Sequence, residues 1–363
     1  MKVPSVNLLF TLVTVAYAGK NSRTFTVLRF NNDAGKFSTE GRMDPIISPG
    51  AASSHSHGIM GGSNFGLIVQ GDHLLDSNCT NALIKNDKSN YWIPDLWFRS
   101  PTNGTFRKVP LFYMNIYYFF EESDDDIKAF PPGLKMVIGD PTKRDPPATG
   151  GLQLDPTKGK IQPVQWVCPA QGNPDRYPPG SDGTHAGLQD PNDKGAGAGF
   201  PVINCDGYAS PLRQDIHLPS CYNPSVGIED YKNNMAFPTV SGSKQNCPAG
   251  WVHVPHVFFE VYWDTPHFAN DWQRDGQHQP FVLANGDRTG YSSHGDMISG
   301  WDVDTLQAII DSCDTGTSGM DNCPDIIGGV NRNDICRINP DFPDPASEWL
   351  TVLPGNNPVT GWE

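Results

Sequence analysis

The sequence has few basic residues for its acidic ones, since 26 Lys and Arg face 40 Asp and Glu and give a formal net charge of −14. Nucleic-acid binding depends on clustered Lys and Arg that contact phosphates, so this composition argues against a nucleic-acid partner. An excess of carboxylates is typical of a soluble acidic surface. A polyanionic ligand would need a local basic cleft within that surface.

Long hydrophobic runs are also missing. The one apolar run, Leu8–Val15, follows Lys2 and precedes a small-residue Ala-Tyr-Ala box at 16–18. This arrangement is typical of a secretory signal peptide, so we predict that residues 1–18 are removed and that the mature chain begins at Gly19. No later segment approaches the roughly 20 apolar residues of a membrane helix. The sequence therefore predicts a secreted protein, extracellular or in the cell wall, without a membrane partner.

Motifs of three common catalytic classes are absent. The sequence contains no Cys-x-x-Cys pair of the kind found in zinc ribbons and thioredoxin-type redox centres. It also contains no Gly-x-Ser-x-Gly elbow of a serine hydrolase and no Gly-rich phosphate loop. The eight cysteines form an even set, which predicts up to four disulfides in an oxidising compartment. Their pairing is not fixed by the sequence. Asn78-Cys79-Thr80 and Asn103-Gly104-Thr105 match the N-glycosylation pattern and predict a glycoprotein.

Helical periodicity is scarce, whereas 37 Gly and 33 Pro are spread along the chain. This composition predicts many short strands joined by turns and long loops. Strand-like apolar runs occupy 25–30, 111–120, 257–263 and 280–283, and one helix is predicted over 302–312 from its three-to-four spacing. We predict a mainly β, single-domain sandwich or jelly roll that is disulfide-bonded, with long loops and few short helices.

Composition also predicts the domain organisation. We expect a main β-rich domain over 19–312 and a Cys-containing C-terminal extension over 313–363. Within the main domain, the stretch rich in Pro, Gly and Asp at about 139–199 predicts a long loop-rich insertion.

Two segments concentrate the polar residues of a candidate site. Segment 42–57 places an arginine and a carboxylate ahead of His55 and His57, and segment 286–296 repeats the Ser-Ser-His triplet near the other end of the chain. Side chains two apart in an extended strand project to the same face, so the two histidines of the first segment would lie side by side. We predict that the two segments meet in space.

One interpretation of these residues is acid–base catalysis, because histidine has an ordinary pKa of about 6.5 and exchanges protons in mildly acidic surroundings. We predict His55, His57 and His294 as proton-transfer groups, with Asp44 and Asp296 orienting or activating them. The residues predicted to bind substrate are the cationic and aromatic side chains near these motifs, namely Arg42, Lys88, Tyr91, Trp92, Arg288, Tyr291 and Trp301. Equally, the cations among them could form local ion pairs, and most tryptophans of a β protein lie in its core.

The same groups suit two kinds of glycosidic cleavage. A lyase would use a cation to neutralise a uronate carboxylate and a tyrosine to protonate the leaving oxygen. A hydrolase would use two carboxylates across the scissile bond, and among the candidates Glu260 lies in an aromatic strand-like run that would desolvate it.

Metal binding is the alternative interpretation of the histidines. A His-x-His pair on one strand grips an ion with two ligands, and His294 or Asp296 would supply a third, with Zn, Cu, Mn or Fe as the ion. The competing structural interpretation is that His55, His57 and His294 bond backbone carbonyls. Apart from this divalent metal, no cofactor is predicted.

An ordered series of motifs resembles a fungal secreted family known only as a domain of unknown function, DUF1996. The resemblance runs from about residue 28 to 302 and rests on motifs around residues 42–50, 54–57, 87–92, 131–134, 204–207, 218–221, 259–263 and 285–296. It implies secretion and polysaccharide surroundings, since family members sometimes carry cell-wall or carbohydrate-binding modules. This chain departs from the pattern at Tyr222, where a tryptophan is usual after the cysteine.

From these observations we predict a secreted, carbohydrate-active protein that cleaves glycosidic bonds in a cell-wall polysaccharide, as a lyase or a hydrolase. Two alternatives stay open. One is a non-catalytic protein that binds wall polysaccharide or has a structural role, and the other is a metal-binding oxidative protein built on the His-x-His pair. Neither the sugar nor the oligomeric state follows from the sequence.

Overall fold

The computed structural model describes residues 24–30, 36–207, 211–272, 278–324, 326–345 and 348–362. The predicted signal peptide, residues 1–18, lies outside the described residues. Within them the chain forms twenty strands, one α-helix and five short 3-10 helices, so the prediction of a mainly β fold with few short helices is confirmed. None of the helices in these ranges has the length and apolarity needed to cross a bilayer.

The strands are numbered in chain order. They are β1 (Phe25–Leu28), β2 (Thr39–Gly41), β3 (His57–Gly61), β4 (Asn90–Pro94), β5 (Leu96–Arg99), β6 (Phe106–Lys108), β7 (Leu111–Phe119), β8 (Lys135–Gly139), β9 (Val164–Val167), β10 (Leu188–Gln189), β11 (Ala196–Ala198), β12 (Arg213–His217), β13 (Cys221–Tyr222), β14 (Met235–Ala236), β15 (Thr239–Ser241), β16 (Lys244–Asn246), β17 (Val252–His253), β18 (His256–Trp263), β19 (Phe281–Leu283) and β20 (His294–Ile298). The 3-10 helices are His73–Asp76, Pro156–Lys158, Thr265–Phe268, Met320–Asn322 and Pro354–Asn356.

Two antiparallel sheets build the body of the molecule. One has seven strands in the order β1-β7-β18-β12-β9-β11-β10, and the other has five in the order β2-β3-β4-β20-β8. Their inner faces pack together in one hydrophobic core, where the Tyr91 ring of β4 meets the Phe259 ring of β18 with centroids 5.8 Å apart. This face-to-face packing confirms the predicted sandwich.

The five-stranded sheet is buried on its second face as well. A smaller cluster that includes Met43, Phe65, Trp92 and Ile298 packs between that face and the loops that follow β2 and β3. Every residue of β3, β4 and β20 is buried as a result. The ends of these three strands therefore place side chains inside the protein rather than on its surface.

The single α-helix of the described chain spans Val303–Ser312 and confirms the predicted helix. Asp302 caps its N-terminus by accepting a hydrogen bond from the Thr305 amide. Leu306, Ile309 and Ile310 are buried, as the three-to-four spacing requires.

All eight cysteines are bonded, which confirms four disulfides. The pairs are Cys79–Cys336, Cys168–Cys205, Cys221–Cys247 and Cys313–Cys323. The first pair joins positions 257 residues apart and ties the C-terminal part of the chain to the loop before β4.

Both segments set apart by composition contribute to the folded body. Residues 139–199, predicted as a loop-rich insertion, supply β9, β10 and β11 to the seven-stranded sheet. The short run Val164–Val167 forms β9 and carries the buried Trp166, although the sequence around it is rich in Pro and Gly. In the extension over 313–363, Leu353 and Trp362 are buried.

Candidate functional site

Three histidines meet at one end of the five-stranded sheet. His57 is the first residue of β3 and His294 the first residue of β20, and these two strands flank β4. His57 lies opposite Pro94, the last residue of β4, which has no N–H to continue the ladder. His55 lies two residues ahead of β3, so the two polar segments predicted to meet do come together here.

The rings pack closely enough for their nitrogens to share one target. His55 Nε2 lies 3.0 Å from His294 Nε2. The ring centroids of His55 and His57 are 4.4 Å apart, and those of His57 and His294 are 5.9 Å apart. One nitrogen from each of the three rings lies within 4.8 Å of the other two.

The hydrogen bonds around His55 and His294 fix their tautomers. His294 Nδ1 donates to the Ser292 carbonyl at 2.8 Å, because a carbonyl can only accept, so Nε2 of the neutral ring is an acceptor. His55 Nε2 must then donate to it, and His55 Nδ1 accepts from the Ser54 hydroxyl at 3.0 Å. Ser54, His55, His294 and the Ser292 carbonyl thus form one directed chain of hydrogen bonds.

His57 is bonded differently. Its side chain is completely buried, and neither ring nitrogen has a well-aligned hydrogen bond among the described residues, although the Met43 backbone lies close enough to the ring to raise its pKa slightly. A buried polar group without a partner costs free energy, because it has lost water and gained nothing in exchange. His57 therefore differs from His55 and His294, whose ring nitrogens are all hydrogen-bonded.

Electrostatics keep all three imidazoles neutral. Burial is the largest cause and lowers the pKa of His294 to about 4, while the pKa values of His55 and His57 lie well below their usual range. The neighbouring imidazoles reinforce this effect at His55 and His57, and the Arg144 guanidinium adds to it at His55. The rings are therefore neutral near pH 7, and ligation of a metal by His55 and His294 would replace the hydrogen bond between their Nε2 atoms.

Two buried carboxyl groups adjoin His57. Asp44 accepts hydrogen bonds from the Ile46 and Ile47 amides, both at 3.0 Å. Asp296 is 1% exposed, and its Oδ1 has no hydrogen-bond partner within the described part of the chain. Burial and the nearby Asp44 charge raise the pKa of Asp296 well above its usual value. One oxygen from each carboxyl lies within 4.8 Å of a His57 nitrogen, so His57 belongs to two potential ligand sets.

Asp287 holds the second segment in place. Its carboxylate accepts hydrogen bonds from the backbone amides and hydroxyls of Thr289 and Ser292, at distances of 2.7 to 2.9 Å. These bonds fix the Ser292 carbonyl that in turn orients His294. Arg144 lies 3.6 Å from the same carboxylate through Nε. Sequence reasoning missed Arg144, whose one signal was a Lys-Arg pair within a stretch rich in Pro and Asp.

Several residues predicted to bind substrate lie at the opposite end of the same strands. Lys88 precedes β4, and Trp301 follows β20 and is completely buried. Tyr91 is buried in β4 and faces the inner core, where its hydroxyl donates to Asp87 at 2.8 Å. The structure does not bring these three residues to the histidines.

The other predicted residues have mixed positions. Trp92 pairs with Asp296 across β4 and β20, so both lie on the face that carries the histidines, but its ring is completely buried. Arg42 is half-buried, with Nη1 3.5 Å from the Ser53 carbonyl. Tyr291 is buried and donates to the Gly183 carbonyl at 2.7 Å. Arg288 instead lines a cavity of about 390 Å³ that it shares with Arg99 and Trp272, among others.

The chemistry available to the histidine cluster is metal ligation or proton transfer. Neutral imidazole nitrogens and carboxylate oxygens are ligands for divalent transition metals. The described residues contain a third potential ligand set, formed by Asp125, Cys247 and His253. It lacks a thiolate ligand because Cys247 is bonded to Cys221.

Comparison with known proteins gives one result. No curated protein and no solved structure matches this chain. A family model described as a domain of unknown function, DUF1996, matches residues 44–301 of the 363. The match spans His55, His57 and His294 together with both buried carboxyl groups. The chain therefore belongs to the DUF1996 family.

Proposed function

We propose that this chain is a metalloprotein in which His55, His57 and His294 bind a divalent transition metal ion. The observation that carries the proposal is the convergence of three buried, neutral imidazoles from two distant segments, with ligand nitrogens within 4.8 Å of one another. A histidine that only braces a loop forms strong hydrogen bonds to do so, whereas His57 has no well-aligned one among the described residues.

The energetics of the metal-free cluster support this proposal. His57 and Asp296 both bury polar atoms that have no partner in the described chain. Each such atom costs about 1–3 kcal/mol. Other buried atoms of the described chain also lack partners, but His57 differs from them because both of its ring nitrogens are affected. A cation placed among these groups would satisfy the imidazole lone pairs and would favour the charged form of Asp296. Imidazole ligands suit Zn, Cu, Fe and Ni, and the carboxyl groups offer oxygen as a further ligand.

Secretion belongs to the proposal. Four disulfides support it, because they form and persist in oxidising compartments. Glycosylation at Asn103 is supported by its exposure and by the Thr105 amide and hydroxyl, which both donate to Asn103 Oδ1 and leave Nδ2 for the glycan. A bound metal would supply Lewis-acid or redox chemistry to a wall substrate.

Metal stoichiometry tests the proposal directly. The purified protein is stripped with a chelator, loaded separately with Zn²⁺, Cu²⁺, Mn²⁺ or Fe²⁺, desalted and analysed for metal. We expect close to one equivalent of at least one ion in the wild type and a loss of most of it in His57→Ala and His294→Ala, because multi-ligand sites bind tightly. His185→Ala, at an exposed loop position, is the matched control and should bind like the wild type. Less than about a tenth of an equivalent of every ion, or equal loading of all variants, would overturn the proposal.

Cleavage of a wall polysaccharide is the second candidate function. It is favoured by the hydrogen-bonded chain from Ser54 through His55 to His294, which presets the tautomers for moving a proton. In this proposal the three histidines transfer protons, Asp44 and Asp296 orient or activate them, and Arg42 binds substrate.

A polysaccharide panel separates the remaining alternatives. The wild type is incubated with neutral and uronate polysaccharides, with and without the bound metal, and products are read as reducing ends and as absorbance of unsaturated sugar. Reducing ends with that absorbance would indicate a lyase, and reducing ends alone would indicate a hydrolase or a metal-dependent oxidase. Binding without products would favour the non-catalytic wall protein. Activity that survives in the His55→Ala, His57→Ala and His294→Ala variants would remove these residues from catalysis.

A further inference from the structure

The outer face of the seven-stranded sheet carries a row of polar side chains that the histidine cluster does not use. Asn115, Glu260, Asp215 and Gln165 are successive cross-strand partners on β7, β18, β12 and β9. Cross-strand partners project to the same face, so all four lie in one line across the sheet. This face points away from the five-stranded sheet and from its histidines.

Aromatic side chains border the row on both sides. Tyr113 and Tyr262 are partners on β7 and β18, with ring centroids 4.3 Å apart. On the other side Tyr117 pairs with Phe258, with centroids 5.2 Å apart. The β7 residues of the face, including Tyr113 and Tyr117, are half-exposed, so the aromatic edges are open to solvent.

The Glu260 carboxylate lies at the centre of this face. Asn115 Nδ2 donates to it at 3.0 Å, and the Tyr117 and Tyr262 hydroxyls donate at 3.3 Å. Arg213 Nη1 lies 3.4 Å from Glu260 Oε1. Glu260 therefore holds the surrounding rings and the guanidinium in defined positions, which preorganises the surface for a ligand.

Asp215 and Arg213 retain hydrogen-bonding capacity. Arg213 Nη2 donates to Asp215 Oδ2 at 2.7 Å, whereas Asp215 Oδ1 and Arg213 Nε have no partner among the described residues. Asp215 is 4% exposed, and burial raises its pKa to about 6. An unpaired acceptor and an unpaired donor thus lie beside the central carboxylate.

One end of the face is closed and the other is open. At β9 the Gln165 amide donates to the Gly150 carbonyl at 2.8 Å and to Asp190 at 2.6 Å, so the segment after β8 covers that end. At β7 the half-exposed side chains leave the face accessible. A ligand would meet the half-exposed side chains of β7 first, because Glu260 and Tyr262 on β18 are each 6% exposed and Asp215 is 4% exposed.

We propose that this outer face, the Tyr113–Glu260–Asp215 face, binds a neutral oligosaccharide. Sugar rings present an apolar C–H side that stacks on aromatic rings and a rim of hydroxyls that both donate and accept hydrogen bonds, which matches tyrosines beside a carboxylate, a carboxyl and a guanidinium. Two acidic groups face a single arginine here, so the face offers no excess positive charge for a uronate or a sulfated sugar. The proposal goes beyond the metal site and does not depend on it.

A competing location for a sugar exists and must be part of the test. A cavity of about 540 Å³ is lined by Trp272, Trp349 and polar residues that include Asn103, and the Trp349 side chain is 43% exposed. Binding there and binding on the Tyr113–Glu260–Asp215 face would look alike in a wild-type titration. Variants at both places are needed.

The experiment is calorimetric titration of the full mature chain with hexasaccharides of β-1,3-glucose, β-1,4-xylose, β-1,4-mannose and N-acetylglucosamine, and with a hexauronate. We expect at least one neutral hexasaccharide to bind and the hexauronate not to bind. Tyr113→Ala and Tyr117→Ala should each weaken binding by up to about tenfold, as expected for loss of one stacking contact. Tyr117→Phe keeps the ring and should weaken binding less, which guards against a misfolded alanine variant.

The controls decide the location. Trp349→Ala, which removes a ring that lines the competing cavity, should bind like the wild type. Loss of binding in Trp349→Ala with full binding in the Tyr113 and Tyr117 variants would overturn the proposal in favour of the tryptophan cavity. Tighter binding of the hexauronate, or no binding of any neutral sugar, would also overturn it. Metal loading of Tyr113→Ala and Tyr117→Ala should match that of the wild type, so failure of the metal proposal and failure of this one give different results.

Discussion

The two ends of the β4–β20 strand pair both contain buried polar side chains, but the hydrogen bonding of these side chains differs. At the far end from the histidines, Asp87 accepts hydrogen bonds from the Ser89 amide at 2.9 Å and from the Tyr91 hydroxyl at 2.8 Å. The Tyr118 hydroxyl lies 2.6 Å from that of Tyr91 and accepts the Trp301 indole N–H at 2.8 Å. At the near end, His57 and Asp296 bury polar atoms without partners in the described chain.

A structural polar cluster and a candidate site can be distinguished by comparing these two ends. Both ends are buried and both shift pKa values, so neither burial nor a perturbed pKa separates them. What separates them is the kind of atom left without a partner. At the Asp87 end the ionisable groups bond one another, and the unpartnered atoms of the described chain there are the neutral Asn90 Oδ1 and Ser299 Oγ, whereas the His57 end retains imidazole and carboxyl ligand atoms at a cost to stability.

The largest expected effect is at the Asp87 end. Trp301→Ala should lower the free energy of unfolding by about 3–5 kcal/mol, because it removes a completely buried indole and leaves a cavity. Urea unfolding followed by circular dichroism measures the loss. Metal loading of the folded variant should match that of the wild type. If Trp301→Ala lost the metal but kept its stability, the two ends would have exchanged roles and the contrast would fail.

The pH dependence of stability gives the next effect. Burial raises the pKa of Asp87 from 3.8 to about 6, so between these values the folded state binds the proton more tightly than the unfolded state does. The stability that this group contributes is fully present below pH 3.8 and is lost as the pH rises through 6. Asp87→Asn cannot lose that proton.

The measurement is urea unfolding of the wild type and Asp87→Asn at pH 3.5 and 7.5. The free energy of unfolding of the wild type, relative to that of the variant, should be about 3 kcal/mol higher at pH 3.5 than at pH 7.5. Asp72→Asn, at an exposed position, controls for loss of a carboxylate. A difference that did not change with pH would show that the pKa of Asp87 is the same in the folded and unfolded states, and a change of the opposite sign would show that folding lowers it.

Much of the fold follows from local patterns. The helix over 302–312 was predictable because its apolar spacing and its aspartate cap are both local, and the number of disulfides followed from an even cysteine count in a chain with a predicted signal peptide. The side-by-side placement of His55 and His57 followed from strand geometry in the same way. The strand order of the two sheets was not predictable, because it depends on pairing between segments far apart in sequence.

The membership of the site was predictable only in part. Trp301 and Lys88 were included because they lie close in sequence to polar motifs, but a strand advances about 3.3 Å per residue. Five residues from Asp296 to Trp301 therefore cover about 16 Å, which is enough to reach the other end of the sheet. Arg144, in contrast, lies far from His294 in sequence, but its charge lowers the pKa of His55 in the cluster.

The smallest expected effect has the opposite sign and isolates the cost of the unpaired histidine. His57→Leu replaces a buried imidazole that lacks partners in the described residues with an apolar group of similar volume, so the metal-free protein should gain about 1–2 kcal/mol in unfolding free energy. His256→Leu is the matched control and should lose stability, because His256 Nδ1 is bonded to Glu121 at 2.8 Å. With metal at 100 times its dissociation constant, the wild type should gain about 2.7 kcal/mol and overtake His57→Leu, which lacks a ligand. Urea unfolding with chelator and with metal measures both orders of stability. A His57→Leu protein that is less stable than the wild type in chelator would mean that His57 stabilises the fold without a metal. Both ends of β4 would then be structural polar clusters.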